Sequence, residues 1–285
     1  MTEKTKGLIW NLVLYTAAFG AGLIPFLMID HIFIASAAFT IAATLVIFIV
    51  TCFYPDTSLY DPYWSVEPPV LLLLLMIRFR LWNPNSILML FFVTVWATRL
   101  TANWIYTYCG LGHEDWRYAQ YREKLSKPAF FLINLFGLQL IPTFVVYMGM
   151  VGAIFVLQQP EFSWLTIPGY IVMLAAILLE HISDTSIHSF LEEHAGEHKS
   201  CNVSVWRYSR HPNYLGEMSF WTGIFMVYAA LYPRTWYMGL GFLLIILLFL
   251  FVSIPMMERH NMEHRADYDE YRKKTSRLLL WPPKE

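Results

Sequence analysis

Residues 32–53 read Ile-Phe-Ile-Ala-Ser-Ala-Ala-Phe-Thr-Ile-Ala-Ala-Thr-Leu-Val-Ile-Phe-Ile-Val-Thr-Cys-Phe, a run without one charged side chain. About 20 such residues cross the hydrocarbon core of a bilayer as a helix. The pattern repeats on both sides. Further apolar segments cover Leu8–Ile29, a shorter Pro68–Leu81, Ser86–Tyr108, Ala129–Leu157, Trp164–Phe190, Tyr214–Leu231 and Tyr237–Ile254. With 57% hydrophobic and 14% charged residues in a chain of 285, this is the composition of a polytopic membrane protein. The fold expected is all-α, an integral membrane helix bundle of seven to eight spans forming a single membrane domain. Residues 1–55 would be scaffold and 56–285 the working region. Leu8 onward continues too long for a removable signal peptide and has no small-residue cleavage site, so the first helix is expected to stay.

Positive residues stay on the cytoplasmic side of a membrane, which tests the topology. With eight crossings and both termini inside, the inner segments hold Lys4, Lys6, Arg117, Arg122, Lys124, Lys127, Lys199, Arg207, Arg210 and seven more from Arg259 to Lys284, sixteen of the twenty. Arg78, Arg80 and Arg234 fall outside, and Arg99 lies within a span. If Pro68–Leu81 does not cross, the loop 110–128 moves outside and the asymmetry weakens, so eight is the better count and seven the fallback. No basic patch interleaved with aromatics points to nucleic acid. Cys52, Cys109 and Cys201 follow no spacing motif and suggest no disulfide framework. Asn202-Val-Ser204 matches a glycosylation acceptor but falls on the inner side.

Into this apolar frame the chain sets a polar strip, Trp206-Arg-Tyr-Ser-Arg-His-Pro-Asn-Tyr-Leu-Gly-Glu217. Pro212 suits the opening of a helix. Asn213 and Glu217, four apart, would share a face of its first turns. Arg207, Tyr208, Arg210 and His211 sit just upstream, near the positive end of the helix dipole, where free backbone amides also collect. That arrangement suits an anion. A membrane-edge anchor with Glu217 paired to an arginine would use the same residues, but a glutamate one turn inside a membrane helix is functional by default.

Other polar residues cluster at span ends. The stretch 56–69 packs Tyr60, Asp61, Tyr63, Trp64 and Glu67 ahead of Pro68-Pro69. The aromatics alone would make an interfacial belt, but Glu67 sits at a helix mouth where apolar surroundings favour the neutral, proton-donating acid. Arg99 and Asn103 share a face of the fourth span, and Arg99 needs a carboxylate such as Glu67 or Glu217, or a ligand phosphate. In 112–118 the charges are mixed, and Arg117 is the residue best suited to a phosphate. Gln139 and Pro142 read as a kink without a role. Glu180, Asp184 and His188 form one helical stripe with His181 beside it, able to hold a metal, a ribose or an arginine. The segment 258–277 is amphipathic, with His260 and His264 on one face and Tyr268 and Tyr271 one and two turns on. The first two spans carry no interior charge and read as lipid-facing scaffold.

Arg-His-Pro-Asn-Tyr-Leu-Gly-Glu at 210–217, Glu180-x-x-Ser-Asp184 and Tyr268-x-x-Tyr-x-x-x-Thr-Ser276 with Trp-Pro-Pro resemble the steroid 5α-reductase family in its bacterial membrane branch. The resemblance runs from Glu67 onward and is strongest in the last 110 residues. It implies a helical membrane enzyme that uses NADPH, bound on the cytoplasmic side, to reduce the activated C=C bond of a lipophilic 3-oxo-4-ene. Such a protein would work in the inner membrane of a bacterium, surrounded by lipid and acting as a monomer. By position, Glu67 matches the acid that binds the carbonyl, with Tyr63 or Tyr60 as its possible assistant. Asn213 and Glu217 match the pair beside the nicotinamide, Asp184 an aspartate at the cofactor, and His260 a histidine of the cofactor shell. The implied cofactor set also takes in Arg99, Asn103, Arg117, Glu180, His198, Lys199, Arg207, Tyr208, Arg210, His211, Arg259, His264, Tyr268 and Tyr271; no metal is expected.

Some positions depart from the family. Its assisting tyrosine falls at Trp96, a phosphate-binding arginine at Leu191, an asparagine at Glu180, and a Tyr-Arg pair at His198 and Lys199. Lys199 meets a phosphate as a point charge without the guanidinium fork. Three readings compete. The Arg-His-Pro-x-Tyr-x-Gly core is shared with membrane isoprenylcysteine methyltransferases, which use S-adenosylmethionine, although methyl transfer needs no acid such as Glu67. His194-x-x-x-His198 and His260-x-x-x-His264 have the spacing of a di-iron oxygenase but lack an adjacent His-His pair. A lipid-binding scaffold leaves the polar residues at the span mouths unexplained.

Overall fold

A computed structural model describes residues 2–54 and 56–284. Among them there is no strand. Among the described residues six helices are long and apolar enough to cross a membrane: Glu3–Met28, Ile32–Phe53, Pro84–Thr107, Lys127–Leu157, Trp164–Glu193 and Trp236–His264. The chain divides into two compact units, Met1–Phe162 and Ser163–Glu285. Residue 55, where the sequence separates scaffold from working region, lies outside the described residues.

The first unit contains α1 (Glu3–Met28), α2 (Ile32–Phe53), a 3-10 turn at Thr57–Tyr60, α3 (Tyr63–Phe79), α4 (Pro84–Thr107), α5 (Trp116–Lys124) and α6 (Lys127–Leu157). Asn83 starts α4 with a reciprocal capping box to Ser86, and Pro84 occupies the first position, where no amide hydrogen is needed. Gly22 lets α1 approach α2 closely, since a methyl there would meet the Phe39 carbonyl oxygen at 2.9 Å. The inner faces of α1 and α2 then join the 3-10 turn in one core of Leu14, Tyr15, Ala18, Ala43, Ile47, Leu59, Tyr60 and Tyr63. The expectation that α2 is only lipid-facing scaffold is therefore corrected: Phe39, Thr40, Ala43, Thr44 and Ile47 are buried.

Helix α3 begins at Tyr63, ahead of Pro68-Pro69, so Glu67 sits one turn inside the helix. It has 17 residues and ends at Arg80 in the left-handed conformation (φ 56°). With 17 residues it lies at the short limit of about 17 to 25 for a membrane span and is not among the six. Helix α6 widens into a π-helical stretch at Ile133–Leu140, just before Pro142. A helical proline lacks the amide hydrogen and crowds the carbonyl four residues back, and a wider turn relieves both. Ahead of Pro255, the stretch Phe249–Ser253 repeats the device.

The second unit contains α7 (Ile167–Glu193), a 3-10 turn at Ser204–Arg207, α8 (Pro212–Leu231), α9 (Trp236–His264) and α10 (Tyr268–Lys274). Helices α7 and α8 run antiparallel at close range because glycines remove the side chains between them. A methyl on Gly169 would meet the Val227 amide nitrogen at 2.8 Å, and one on Gly223 would meet Met173 Cγ at 2.5 Å and the Gly169 carbonyl oxygen at 2.9 Å. Small residues at such a crossing let dispersion act between backbones, which is the main attraction left between helices in lipid. Helix α8 is not among the six spans, because it carries Asn213, Glu217, Ser219 and Thr222.

Gly223→Leu should consequently lower the thermal unfolding midpoint in detergent by several degrees, the effect of an overpacking penalty of about 1–3 kcal/mol. Gly20→Ala, with nothing within 4 Å, should leave the midpoint unchanged or raise it slightly. Equal midpoints for the two variants would contradict the glycine-mediated crossing.

Candidate functional site

Glu67 is buried, and its Oε1 accepts a 2.5 Å hydrogen bond from the Thr40 hydroxyl. The backbone carbonyl of Thr40 accepts from the Tyr63 hydroxyl (2.9 Å) and from Thr44 Oγ1 (2.9 Å). Thr143 on α6 completes the cluster, bonded to Thr44 (2.9 Å) and to the Tyr60 hydroxyl (2.7 Å). Both sequence candidates, Glu67 and Tyr63, are thus attached to one residue of α2. Thr40 lies about 20 Å along α2 from Phe53 at 1.5 Å per residue, which puts Glu67 deep against the middle of an apolar helix rather than at the rim. Trp96, where the resemblance expects a tyrosine, is buried with its ring 6.2 Å from that of Trp64.

On α4, Arg99 is half-buried and engaged, and Asn103, one turn later, has its Oδ1 enclosed without a hydrogen-bond partner. Arg117 does not face outward. Its Nε and Nη2 both donate to Asp115 (2.7 and 3.2 Å), and it lies over the Tyr118 ring. This belongs to a clasp between the loop before α3 and the loop before α5. Glu114 accepts both nitrogens of the Arg122 fork and the Thr57 amide, Asp56 accepts the Gly112 amide, and the Tyr118 hydroxyl donates to Asp61. Burial pushes the Asp61 carboxyl up to about 7, against the opposing pull of the Arg117 charge and the Tyr118 hydrogen bond.

In the second unit the polar residues of α7 and α8 come together through Gly216. A methyl on that glycine would stand 2.3 Å from Glu180 Cγ, so the Glu180 side chain fills the space where a residue-216 side chain would be. Asn213 and Glu217 flank Gly216 on the same face of α8. Asp184, one turn beyond Glu180, reaches toward the Pro212 end because the helices are antiparallel. Glu180, Asp184 and Glu217 are all buried. Glu217 Oε1 accepts from Trp221 Nε1 at 2.8 Å.

The rest of the strip is gripped by the C-terminal segment. Arg210 donates to Glu258 Oε1 through Nε and Nη2 (2.9 and 2.5 Å) and to the carbonyls of Arg272 and Thr275 through Nη1 (2.7 and 2.9 Å). Ser209 Oγ donates to the Leu278 carbonyl, and the Tyr271 hydroxyl donates to the Trp206 carbonyl. Arg210 and Tyr271, two of the residues assigned to the cofactor, thus hold the strip in place. His211 is buried against Glu258 (3.5 Å). Burial holds its imidazole below the ordinary value, and the Glu258 carboxylate opposes the shift. Tyr268 is buried with its ring 5.9 Å from that of Tyr271. Arg207, Tyr208 and Arg259 are exposed, as is Lys199, which pairs with Glu197; His198 adopts a positive φ. His260 and His264 stack at 4.1 Å. Among the described residues no group of three or more His, Cys, Asp or Glu side chains is arranged to hold a metal ion.

The family model described as "Protein of unknown function (DUF1295)" matches residues 47–275. The chain belongs to this family. DUF1295 is associated with steroid 5α-reductase-like membrane proteins. No curated protein and no solved structure matches the chain. The DUF1295 match starts past Thr40, so the residue that holds Glu67 lies outside it. Sequence reasoning missed Thr40, although Ser36, Thr40 and Thr44 repeat every fourth residue in an otherwise apolar helix, and that stripe was the available signal. It also missed Glu258, the partner of Arg210, which is 48 residues away.

The Asp61 shift has a direction in pH. Below about pH 4 the carboxyl is protonated whether the chain is folded or unfolded, and its stabilising contribution is fully present. As pH rises from about 4 to about 7 only the folded state keeps the proton, so the contribution is progressively lost. Relative to Asp61→Asn, the wild-type protein should lose resistance to proteolysis in the 109–128 loop over that interval. Parallel pH curves for the two proteins would contradict the shift.

Proposed function

We propose that this DUF1295 protein is an NADPH-dependent membrane oxidoreductase of the steroid 5α-reductase type, reducing the activated C=C bond of a lipophilic 3-oxo-4-ene. The observation that carries the proposal is the packing of Glu180 over Gly216. It gathers Glu180, Asn213 and Glu217 on one face, where the resemblance puts the cofactor pair. The donor set suits a nicotinamide dinucleotide: buried carboxylates accept from ribose hydroxyls and a carboxamide, the Asn213 amide does both, and exposed Arg207 and Arg259 offer charge to phosphates. We place this site on the cytoplasmic side of a bacterial inner membrane. In this reading α3 and α8 complete eight crossings with both termini inside, and the protein acts as a monomer.

NADPH, when bound, supplies the hydride for the carbon β to the ketone. The chain's own contribution is the acid. Glu67, set deep in apolar surroundings, holds a proton toward the ketone oxygen and stabilises the charge that develops there as the double bond is reduced. An acid at that depth suits a substrate dissolved in the bilayer. A methyltransferase using S-adenosylmethionine would have no use for it.

Purified protein in detergent should shift NADPH fluorescence and consume NADPH with an enone lipid. Stabilisation by S-adenosylmethionine but not by NADPH would select the methyltransferase reading instead. Glu67→Gln should abolish enone reduction while leaving NADPH affinity within about twofold, whereas Asn213→Ala or Glu217→Ala should weaken NADPH by about tenfold, the loss of one hydrogen bond to a charged or buried partner.

A further inference from the structure

Helical serines and threonines in an apolar setting usually satisfy their hydroxyl locally, by donating to the carbonyl four residues back. Here Thr16, Ser36, Thr44, Ser183, Ser219 and Thr222 all do so, at 2.6 to 2.9 Å. Thr40 departs from the rule. It stands between Ser36 and Thr44 on the same stripe, yet its hydroxyl donates across to Glu67 Oε1 at 2.5 Å. Its carbonyl meanwhile receives both Thr44 Oγ1 and the Tyr63 hydroxyl. Tyr63 is therefore committed to the backbone of α2, and the hydroxyl on Glu67 is that of Thr40.

A threonine hydroxyl has one proton to give, and this one is given to Oε1. A neutral carboxyl whose one oxygen accepts such a bond carries its own proton on the other oxygen. We propose that Thr40 is the positioning residue for the Glu67 acid: it fixes Oε1 as the acceptor oxygen, and thereby Oε2 as the oxygen that bears and presents the proton. This takes over the part that the resemblance gives to a tyrosine at position 96, where this chain has tryptophan. It rests on the reading of Glu67 as an acid, and Thr40 lies before the first residue that the family model matches.

The test uses the full-length protein in detergent with Thr40→Val, which keeps the shape and removes the hydroxyl, and Thr40→Ser, which restores it. The first readout needs neither substrate nor cofactor: the infrared C=O stretch of the protonated Glu67 carboxyl, isolated by subtracting the spectrum of Glu67→Gln. Losing a hydrogen bond at the C=O oxygen should move that band to higher wavenumber in Thr40→Val and leave it in place in Thr40→Ser. The second is NADPH-dependent enone reduction, where Thr40→Val should lower kcat by about tenfold to a hundredfold with KM little changed, and Thr40→Ser should recover it. If Thr40→Val does not fold, Thr40→Ala gives the same two readings. An unmoved carboxyl band overturns the proposal, as does an undiminished kcat in Thr40→Val while Glu67→Gln is inactive. An active Glu67→Gln together with a shifted band would remove the acid role itself, and the positioning role with it, while leaving the Thr40–Glu67 bond intact.

Discussion

A carboxyl group held against the middle of an apolar helix has no water to turn to, and much of the first unit is arranged around that constraint. In hydrocarbon each polar group must find its partner within the protein. Glu67 finds Thr40, and the Thr40 carbonyl in turn collects Tyr63 and Thr44. The same logic governs the π-helical stretch of α6, where Gln139 Nε2 donates to Thr51 and Asn134 (3.1 and 3.0 Å) and Asn134 reaches Thr51 (3.2 Å). Tyr147 donates to the Phe33 carbonyl at 2.7 Å. Helix α2 supplies a partner in every case, and the face that carries Thr40, Thr44 and Thr51 turns inward while Ile34, Ile41 and Ile49 are exposed on the other.

The second unit meets the constraint with glycine. Removing side chains at Gly169, Gly216 and Gly223 brings two helix backbones close, and at Gly216 the space goes to the Glu180 side chain instead of a methyl group. The polar strip then divides its labour along its length. Residues 206–211 are fastened to the C-terminal segment by Arg210, Ser209 and Tyr271. Residues 213–217 open the helix, with Gly216 against Glu180 of α7 and Tyr214 against Phe249 of α9. An arginine inside such a strip can be part of the frame rather than a ligand, and the side-chain exposure of Arg210, 8%, shows which it is here.

Legibility in the sequence followed the range of each interaction. Residues 32–53 became α2 without change, and Tyr214–Leu231 became Pro212–Leu231, because apolar runs and an opening proline are local signals. The shared faces within each helix were readable too, since spacings of four put Glu180 with Asp184 and Asn213 with Glu217; the meeting of α7 and α8 at Gly216 was not. The starting point of α3 was not, because two prolines look like a helix start and only the packing of Tyr63 against α2 carries the helix back past them. The amphipathic stretch 258–277 broke into α9 and α10 around Arg265. Arg117 and Arg210 were assigned to the cofactor for the same reason that Thr40 was passed over: a charge or hydroxyl in a sequence does not announce whether its partner is a ligand or another residue of the chain.

The most direct measurement is isotopic. Purified protein is incubated with a 3-oxo-4-ene lipid and NADPH deuterated at the transferable C4 position of the nicotinamide, and the product is read by mass spectrometry and NMR. The account predicts one deuterium on the carbon β to the ketone and a saturated bond beside it. An enone recovered intact across a panel of such lipids, with NADPH bound but no deuterium transferred from either face of C4, would contradict it.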